Sequence, residues 1–281
     1  AMTVILSSSF TNLPDFCSSA RSGGRPLEIA FLNLMPAKRA NEALLSELLA
    51  EGDHPVRLTC LRVETPEAVE LVPNRQKDWA YALEQYQLVS SVLGRRFDAL
   101  VINGTPLGFK CFEDVTYWRE MQQVFDWAVS HVSTSLYLCW AAVAALKHFH
   151  GIERQLEKEK LFGVFPQTIL RPRDPLVAGL GRDFVVPVGR FSTIRPEQLA
   201  GNRSVEVIAS SPLTGVGLAR DRLNRHTLCF NHPEYRADTL AREYRRDCED
   251  GLVSKIPYNT FPQDDVTRPP QLSWQATRRA L

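Results

Sequence analysis

Apolar runs of strand length alternate with helical segments through the first half of the chain, and this alternation limits the fold more than any other feature. The segments that predict helices are 41–50 (with Gly52 as the stop), 118–129 and 141–149. The runs that predict buried or half-buried strands are 27–32 (LEIAFL), 56–63 (VRLTCLRV), 97–102 (FDALVI) and 135–138 (SLYL). Such alternation builds βαβ units. We therefore predict a three-layer α/β fold with a mainly parallel sheet flanked by helices.

The last third of the chain departs from this alternation. Strands are predicted at 205–209, 215–219 and 226–230 without helices between them, which favours an antiparallel edge or hairpin. A helix is predicted at 238–249, and the remainder is rich in proline and polar residues. We predict one domain over residues 1–281, with its core at about 27–252 and a surface-wrapping segment at 253–281.

The charge balance and the cysteines limit the possible partners. The 281 residues include 33 Lys and Arg against 32 Asp and Glu, a balance that argues against a nucleic-acid surface. No window approaches about 18 consecutive apolar residues, so no membrane span is predicted. The six cysteines are scattered without a CxxC pair, and no Cys and His stand at zinc-ligand spacing. We therefore expect thiols in a reducing cytoplasm and no bound metal.

Three predicted strand ends carry unusual residues: 103–108 (NGTPLG), 138–140 (LCW) and 230–235 (FNHPEY). In open α/β sheets, functional groups collect at the carboxyl ends of strands. Cys139 lies where a strand ends and a helix begins, which is the position of a nucleophile in a strand–turn–helix elbow, and the helix N-terminus would stabilise its thiolate. The alternative is a small core residue, because cysteine is among the most buried residue types.

An acyl-transfer nucleophile also needs hydrogen-bond donors for the oxyanion of a tetrahedral intermediate. The backbone N–H of Trp140 is one candidate. The loop after residue 102 offers a second donor from Thr105, Leu107 or Gly108, since Pro106 has no N–H. We favour Leu107, because Pro106 stiffens the turn and Gly108 permits close backbone approach.

His232 is the candidate general base, because it follows a predicted strand and precedes Pro233 and Glu234. Residues i and i+2 of an extended segment face the same side, so Glu234 can orient His232 through one ring nitrogen. With Cys139 these residues would form a nucleophile, base and orienting group. The alternatives are that the HPE segment marks only a turn and that the Asn-Gly of 103–108 does the same.

Several longer segments together resemble one enzyme family. In chain order, from about residue 27 to about residue 274, they are IAFLNLMPAKRANEALLSELL, NGTPLGFKCFEDVTYW, LYLCWAAVAAL, EKLFGVF, HPEYRADTLAREYRRDCEDG and IPYNTFPQDD. They resemble the homoserine O-succinyltransferases and O-acetyltransferases of methionine biosynthesis. That family has a class I glutamine amidotransferase-like (flavodoxin-like) fold.

The resemblance implies a cytoplasmic, homodimeric acyltransferase without a metal or other cofactor. Its co-substrate would be succinyl-CoA or acetyl-CoA, and its acceptor L-homoserine, with ping-pong transfer through an acyl-cysteine. By the same resemblance, Cys139 matches the nucleophile, His232 the general base and Glu234 its partner.

The resemblance also implies roles for residues around this triad. Leu107 and Trp140 match the oxyanion pair. Lys160 and Arg246 match substrate-binding positions, and a guanidinium suits the carboxylate of an amino acid. Lys38 matches a further basic residue near the site.

Two glycines bear on specificity within the family. Glycine at the Gly108 position resembles the succinyl type, whereas a glutamate there would fill the pocket and repel a succinyl carboxylate. Gly189, in PVGRF, stands where the family usually has a serine linked to specificity. An acetyl-CoA-dependent or L-serine-accepting enzyme therefore stays an alternative.

Two other classes of function remain to be considered. One is a glutamine amidotransferase or cysteine peptidase on the same fold, against which LCWAAV lacks the GxCxG surroundings of amidotransferases. The other is a non-catalytic binding protein, against which Cys139, His232 and Glu234 are all present.

Overall fold

The computed structural model describes residues 4–6, 25–64, 76–249, 251 and 255–280. The chain forms two compact units, residues 1–151 with 224–227, and residues 152–223 with 228–281. That residues 1–281 form one domain stays a prediction.

The first unit holds a parallel sheet. Its strands are β1 (Val4–Leu6), β2 (Leu27–Leu32), β3 (Val56–Arg62), β4 (Gln87–Leu88), β5 (Phe97–Ile102) and β6 (Val132–Leu138). They lie in the order β1-β3-β2-β5-β6, with β4 beside β3, and each of these pairs is parallel. The predicted βαβ pattern is therefore confirmed here, and the carboxyl ends of β5 and β6 bring residues 103–108 and Cys139 to one edge.

Three helices lie between these strands in the described part of the chain: α1 (Lys38–Leu49), α2 (Gln76–Gln85) and α3 (Trp118–His131). A fourth, α4 (Trp140–His150), follows β6. Helix α1 begins three residues before the predicted start at residue 41, and α2 was not predicted. Helix α4 buries every residue from Trp140 to Leu146, because its small alanines pack closely. No helix in the described ranges is long and apolar enough to cross a membrane.

The second unit is built on antiparallel strands. They are β7 (Gln155–Ile169), β8 (Asp183–Thr193), β9 (Val205–Ser211) and β10 (Gly215–Asp221), in the order β10-β9-β7-β8. The predicted antiparallel pairing of the late strands is confirmed, whereas the long hairpin of β7 and β8 was not predicted. Strand β11 (His226–Cys229) follows, then α6 (Thr239–Glu249); α5 (Pro196–Leu199) and α7 (Gln275–Ala280) are short.

The C-terminal segment packs into the second unit. Trp274 is fully buried with Phe162, Val164 and Leu240 in one apolar cluster. Tyr258 forms a bridge to Gly163, whose φ of 134° places the two backbones in direct contact. Residues 255–280 therefore contribute core packing as well as surface.

Candidate active site

Cys139 occupies the turn between β6 and α4 and has an unusual backbone conformation, with φ of 51° and ψ of −113°. Such a conformation costs about 1–3 kcal/mol in a non-glycine residue and persists only where the surrounding structure enforces it. The N–H groups of Ala142 and Val143 donate to the carbonyl oxygen of Cys139, at 3.1 and 3.3 Å, so the helix begins at the turn itself. Cys139 is 9% exposed. The predicted strand–turn–helix elbow is present.

The loop after β5 lies against this elbow. A Cβ added at Gly104 would lie 3.2 Å from the Cβ of Cys139 and 3.4 Å from the backbone nitrogen of Trp140. This is tighter than most Cβ contacts, so a side chain at position 104 would require the elbow to shift by a few tenths of an ångström. Leu107 is buried, whereas a Cβ at Gly108 would meet nothing within 4 Å. The segments that carry Leu107 and Trp140 therefore meet at the elbow, while their role as oxyanion donors stays a prediction.

His232 and Glu234 lie together in the second unit. The Nδ1 of His232 and the Oε1 of Glu234 are 2.7 Å apart, and both residues are buried. The imidazole of His232 stacks on the ring of Tyr235, with 4.4 Å between the ring centroids. The backbone oxygen of Tyr235 accepts a hydrogen bond from the indole N–H of Trp274 at 3.0 Å. The carboxylate and the stacked ring hold the imidazole in one orientation, while the role of His232 as general base stays a prediction.

Four charged residues form a second group in this unit, the charge cluster of Lys160, Glu243, Arg246 and Asp247. The ammonium of Lys160 donates to Glu243 and to Asp247, at 2.7 Å each. The Nη2 of Arg246 donates to Asp247 at 2.7 Å. Two cations and two anions are thus paired with one another within the cluster.

The ionisation of the charge cluster follows from its own contacts. Burial works against the charged form of Arg246, but the hydrogen bond from Arg246 to Asp247 and the negative charge of Glu243 outweigh it and raise the pKa of Arg246. Burial by itself would raise the pKa of Asp247, yet the hydrogen bonds from Lys160 and Arg246 lower it. The side chain of Arg246 is 44% exposed, so it can also reach a ligand.

Gly189 on β8 lies beside the charge cluster. A Cβ added at Gly189 would lie 3.6 and 3.7 Å from the two carboxylate oxygens of Glu243, which is ordinary van der Waals contact. A serine would therefore fit there and bring a hydroxyl next to Glu243. Glycine leaves that space open.

Lys38 is held inside the first unit at the start of α1. It is 3% exposed, and its ammonium nitrogen donates to the backbone oxygen of Asn33. Burial lowers the pKa of Lys38 to about 7; the negative charge of Asp78 opposes this shift and the positive charge of Arg62 adds to it. A contact between Lys38 and substrate stays a prediction.

Sequence reasoning missed Glu243 and Asp247. Glu243 lies three residues before Arg246 and four before Asp247 on α6, and both spacings place side chains on a common face of a helix. Their partner Lys160 is 83 and 87 residues away in the chain, so no local pattern could reveal the cluster.

Comparison with solved structures bears on the fold. The chain is similar to a glutamine amidotransferase of Thermotoga maritima, with a TM-score of 0.54, 9% identity, and coverage of 82% of this chain and 87% of that one. It is also similar to a glutamine amidotransferase of Methylobacillus flagellatus, with a TM-score of 0.51, 13% identity, and coverage of 91% and 90%. The predicted class I glutamine amidotransferase-like fold is therefore confirmed.

Comparison of sequences bears on the family. The family model described as homoserine O-succinyltransferase matches residues 5–281. A homoserine O-acetyltransferase of Brucella canis is 39% identical over 263 residues, 94% of this chain and 84% of that protein. A homoserine O-acetyltransferase of Synechococcus elongatus is 36% identical over 257 residues, 92% of this chain and 84% of that protein. The chain therefore belongs to the homoserine O-succinyltransferase family and is a homoserine O-acyltransferase.

Proposed function

We propose that the protein transfers a succinyl group from succinyl-CoA to the hydroxyl of L-homoserine, through a thioester on Cys139. The observation that carries this proposal is the elbow at Cys139, whose strained backbone presents a thiol at the N-terminus of α4 in a chain of this family. A helix N-terminus stabilises the thiolate, which is the form of cysteine that attacks an acyl group.

In the first half-reaction the thiolate of Cys139 attacks the carbonyl carbon of the acyl-CoA thioester. The C–S bond to coenzyme A breaks as the new C–S bond forms, and coenzyme A leaves as a thiolate that takes up a proton. One thioester replaces another, so the step is close to thermoneutral. The backbone N–H groups of Trp140 and Leu107 would donate to the oxyanion.

In the second half-reaction His232 removes the proton of the homoserine hydroxyl. The oxygen attacks the acyl-cysteine carbonyl, the C–S bond breaks, Cys139 returns to the thiolate, and the imidazolium of His232 then releases its proton to solvent. The contact of 2.7 Å between His232 and Glu234 supports this role, because a carboxylate on one ring nitrogen stabilises the imidazolium that forms.

The charge cluster supports an amino-acid acceptor. Arg246 is partly exposed and carries a charge that its neighbours favour, so it can take the homoserine carboxylate in a bidentate pair. Lys160 then keeps Glu243 and Asp247 in place around it. Homoserine needs no metal in this scheme, and we propose that the acyl-CoA is the only co-substrate besides the acceptor.

Mass spectrometry of the enzyme after incubation with succinyl-CoA, without acceptor, tests the covalent step. One added succinyl group should appear on the peptide that contains Cys139 and disappear in Cys139→Ala. Cys111→Ala, which removes an exposed thiol, is the matched control and should keep the adduct. An adduct that persists in Cys139→Ala contradicts the proposal.

A second acyl donor is favoured by a separate observation. The relatives in Brucella and Synechococcus carry the name homoserine O-acetyltransferase, which supports acetyl-CoA. The open space at Gly108 supports the larger succinyl group. Values of kcat/KM for the two acyl-CoA donors decide between them, and a clear preference for acetyl-CoA contradicts our proposal for the donor.

The acceptor is tested in the same assay with L-homoserine and L-serine. Gly189 leaves space beside Glu243, so serine remains the alternative acceptor. Glutaminase activity, measured in parallel, tests the amidotransferase alternative. Binding of succinyl-CoA without any turnover would instead support a non-catalytic member.

We also propose that the enzyme is a cytoplasmic homodimer that binds neither nucleic acid nor membrane. The net charge of +1 supports the absence of a nucleic-acid surface. Sedimentation velocity should give twice the mass of the chain, and a monomer across the working concentration range contradicts the dimer. Cell fractionation tests the location.

A further inference from the structure

Two buried asparagines join the ends of neighbouring strands in the first unit. Asn33 follows β2 and Asn103 follows β5. The Nδ2 of Asn103 donates to the Oδ1 of Asn33 at 2.9 Å, and the Oδ1 of Asn103 accepts from the backbone N–H of Leu34 at 2.7 Å. The side-chain amide of Asn103 is thus hydrogen-bonded through both its nitrogen and its oxygen, and these two bonds restrain the position of the chain directly after β5.

Asn33 is itself held by helix α1 and its neighbours. Its Nδ2 donates to the backbone oxygen of Lys38 at 3.0 Å and to the hydroxyl of Tyr86 at 3.1 Å. The ammonium nitrogen of Lys38 returns a hydrogen bond to the backbone oxygen of Asn33. The hydroxyl of Tyr86 donates in turn to Glu42 at 2.9 Å. These contacts make Asn33 a rigid anchor, because a connected buried polar network loses several hydrogen bonds when one member moves.

The anchored strand end leads directly to the nucleophile. Gly104 follows Asn103, and its backbone lies so close to the elbow that an added Cβ would be 3.2 Å from that of Cys139. The rest of the loop, residues 105–108, carries the second proposed oxyanion donor. The side chain of Asn103 is therefore the point from which the loop is placed against the elbow.

We infer that Asn103 is a positioning residue for acyl transfer, because its amide holds the loop 103–108 at the distance that oxyanion stabilisation requires. This inference rests on the proposed function. Donors to an oxyanion work only at about 2.7–3.1 Å from its final position, and loss of one donor costs about 10²–10³ in rate. A loop that shifts by a fraction of an ångström should therefore lose a large part of that factor.

Asn103→Asp tests this role with almost no change of shape. The introduced carboxylate still accepts from the N–H of Leu34, but it has no hydrogen to donate to Asn33 and places two oxygens face to face. Asn202→Asp is the matched control. The Oδ1 of Asn202 accepts from the N–H groups of Ser204 and Val205, and a carboxylate keeps both of these contacts.

Two rates on the same thiol separate positioning from structural damage. Acylation of Cys139 by succinyl-CoA, followed as thiol release in the first turnover, forms an oxyanion. Alkylation of Cys139 by iodoacetamide is a displacement at a saturated carbon and forms none. In Asn103→Asp we expect acylation to slow by about 10–100-fold, with alkylation within about threefold of wild type.

The pH dependence of the acylation rate in Asn103→Asp distinguishes loss of the hydrogen bond to Asn33 from a general loosening of the loop. A protonated carboxyl can donate to Asn33, so the acylation rate of Asn103→Asp relative to wild type should rise as the pH is lowered. Asn103→Ser, which is too short to reach Asn33, should show the same loss of acylation without this recovery. Asn103→Ser also tests the inference if Asn103→Asp does not fold.

Three outcomes overturn the inference. The first is acylation at the wild-type rate in both Asn103 variants. The second is an equal loss of acylation and alkylation, which would indicate damage to the elbow or to the fold. The third is a wild-type enzyme that forms no adduct on Cys139; this result removes the proposed function and the inference with it, and so differs from the first two.

Discussion

Replacement of Lys38 by methionine probes a strongly shifted ionisation in the first unit. Lys38 is 3% exposed, and burial lowers the pKa of its ammonium from 10.5 to about 7. Methionine has a similar length and no charge. The change therefore removes the titration of Lys38 with little loss of packing volume.

The sign follows from proton binding. Because the pKa is depressed on folding, the unfolded chain holds a proton on this amine between about pH 7 and pH 10.5 that the folded chain lacks. The contribution of Lys38 to the free energy of unfolding therefore rises with pH through this window, and it is lost as the pH falls through about 7. Between about pH 6 and pH 9 the change is roughly 3 kcal/mol, since one pKa unit corresponds to about 1.4 kcal/mol.

The contribution of Lys38 to the free energy of unfolding can be measured by guanidinium unfolding of wild type and Lys38→Met at about pH 6, 7, 8 and 9. The free energy of unfolding of wild type minus that of Lys38→Met should increase by roughly 3 kcal/mol across the series. Lys255→Met, which removes a lysine side chain that is 80% exposed, is the control for the loss of one positive charge. A flat difference for Lys38→Met would refute the argument, since it would mean that the amine keeps its charge in the folded state.

Three further changes have expected outcomes. Glu234→Gln keeps the size of the side chain but removes the charge that stabilises the imidazolium of His232, so kcat should fall at least about tenfold while KM changes little in steady-state assays. Gly108→Glu places a negative charge in open space, where it repels a succinyl carboxylate. The ratio of kcat/KM for succinyl-CoA to kcat/KM for acetyl-CoA should therefore fall by more than about tenfold. An unchanged ratio would show that Gly108 has no part in the choice of acyl donor. Gly163→Ala places a Cβ 2.3 Å from backbone atoms of Tyr258, at a residue whose φ is 134°. The free energy of unfolding, measured by thermal unfolding, should therefore fall by more than about 2 kcal/mol. A wild-type melting temperature would contradict the contact.

Elements with a strong local pattern were predictable. The apolar runs of β2 and β5 and the amphipathic α3 place their own side chains in the core, whatever the rest of the chain does. The elbow at Cys139 and the contact between His232 and Glu234 are equally local. The first needs only a strand followed directly by a helix. The second needs only residues two apart in the chain, but the predicted extended segment was wrong: Pro233 and Glu234 lie in a turn, in which the N–H of Tyr235 donates to the backbone oxygen of His232 at 3.3 Å.

The long hairpin of β7 and β8 was not predictable by the same reasoning. The first part of β7 (QLEKEK) is charged, and its exposed positions have no apolar alternation to mark a strand. Its extended conformation depends on the ladder with β8, where Leu161 to Thr168 pair with Arg190 to Asp183. Backbone hydrogen bonds between segments this far apart in the chain are a property of the folded unit.

The sequence by itself determined the family, the fold class and the reactive types of residue at each strand end, because these depend on order along the chain. Tertiary structure alone decided which distant side chains meet. Asn33 and Asn103 are 70 residues apart, and Lys160 and Asp247 are 87 apart, yet each pair forms a buried or part-buried hydrogen bond. Such contacts require strands and helices to be already packed, since a polar group removed from water is stable only when its partner is in place.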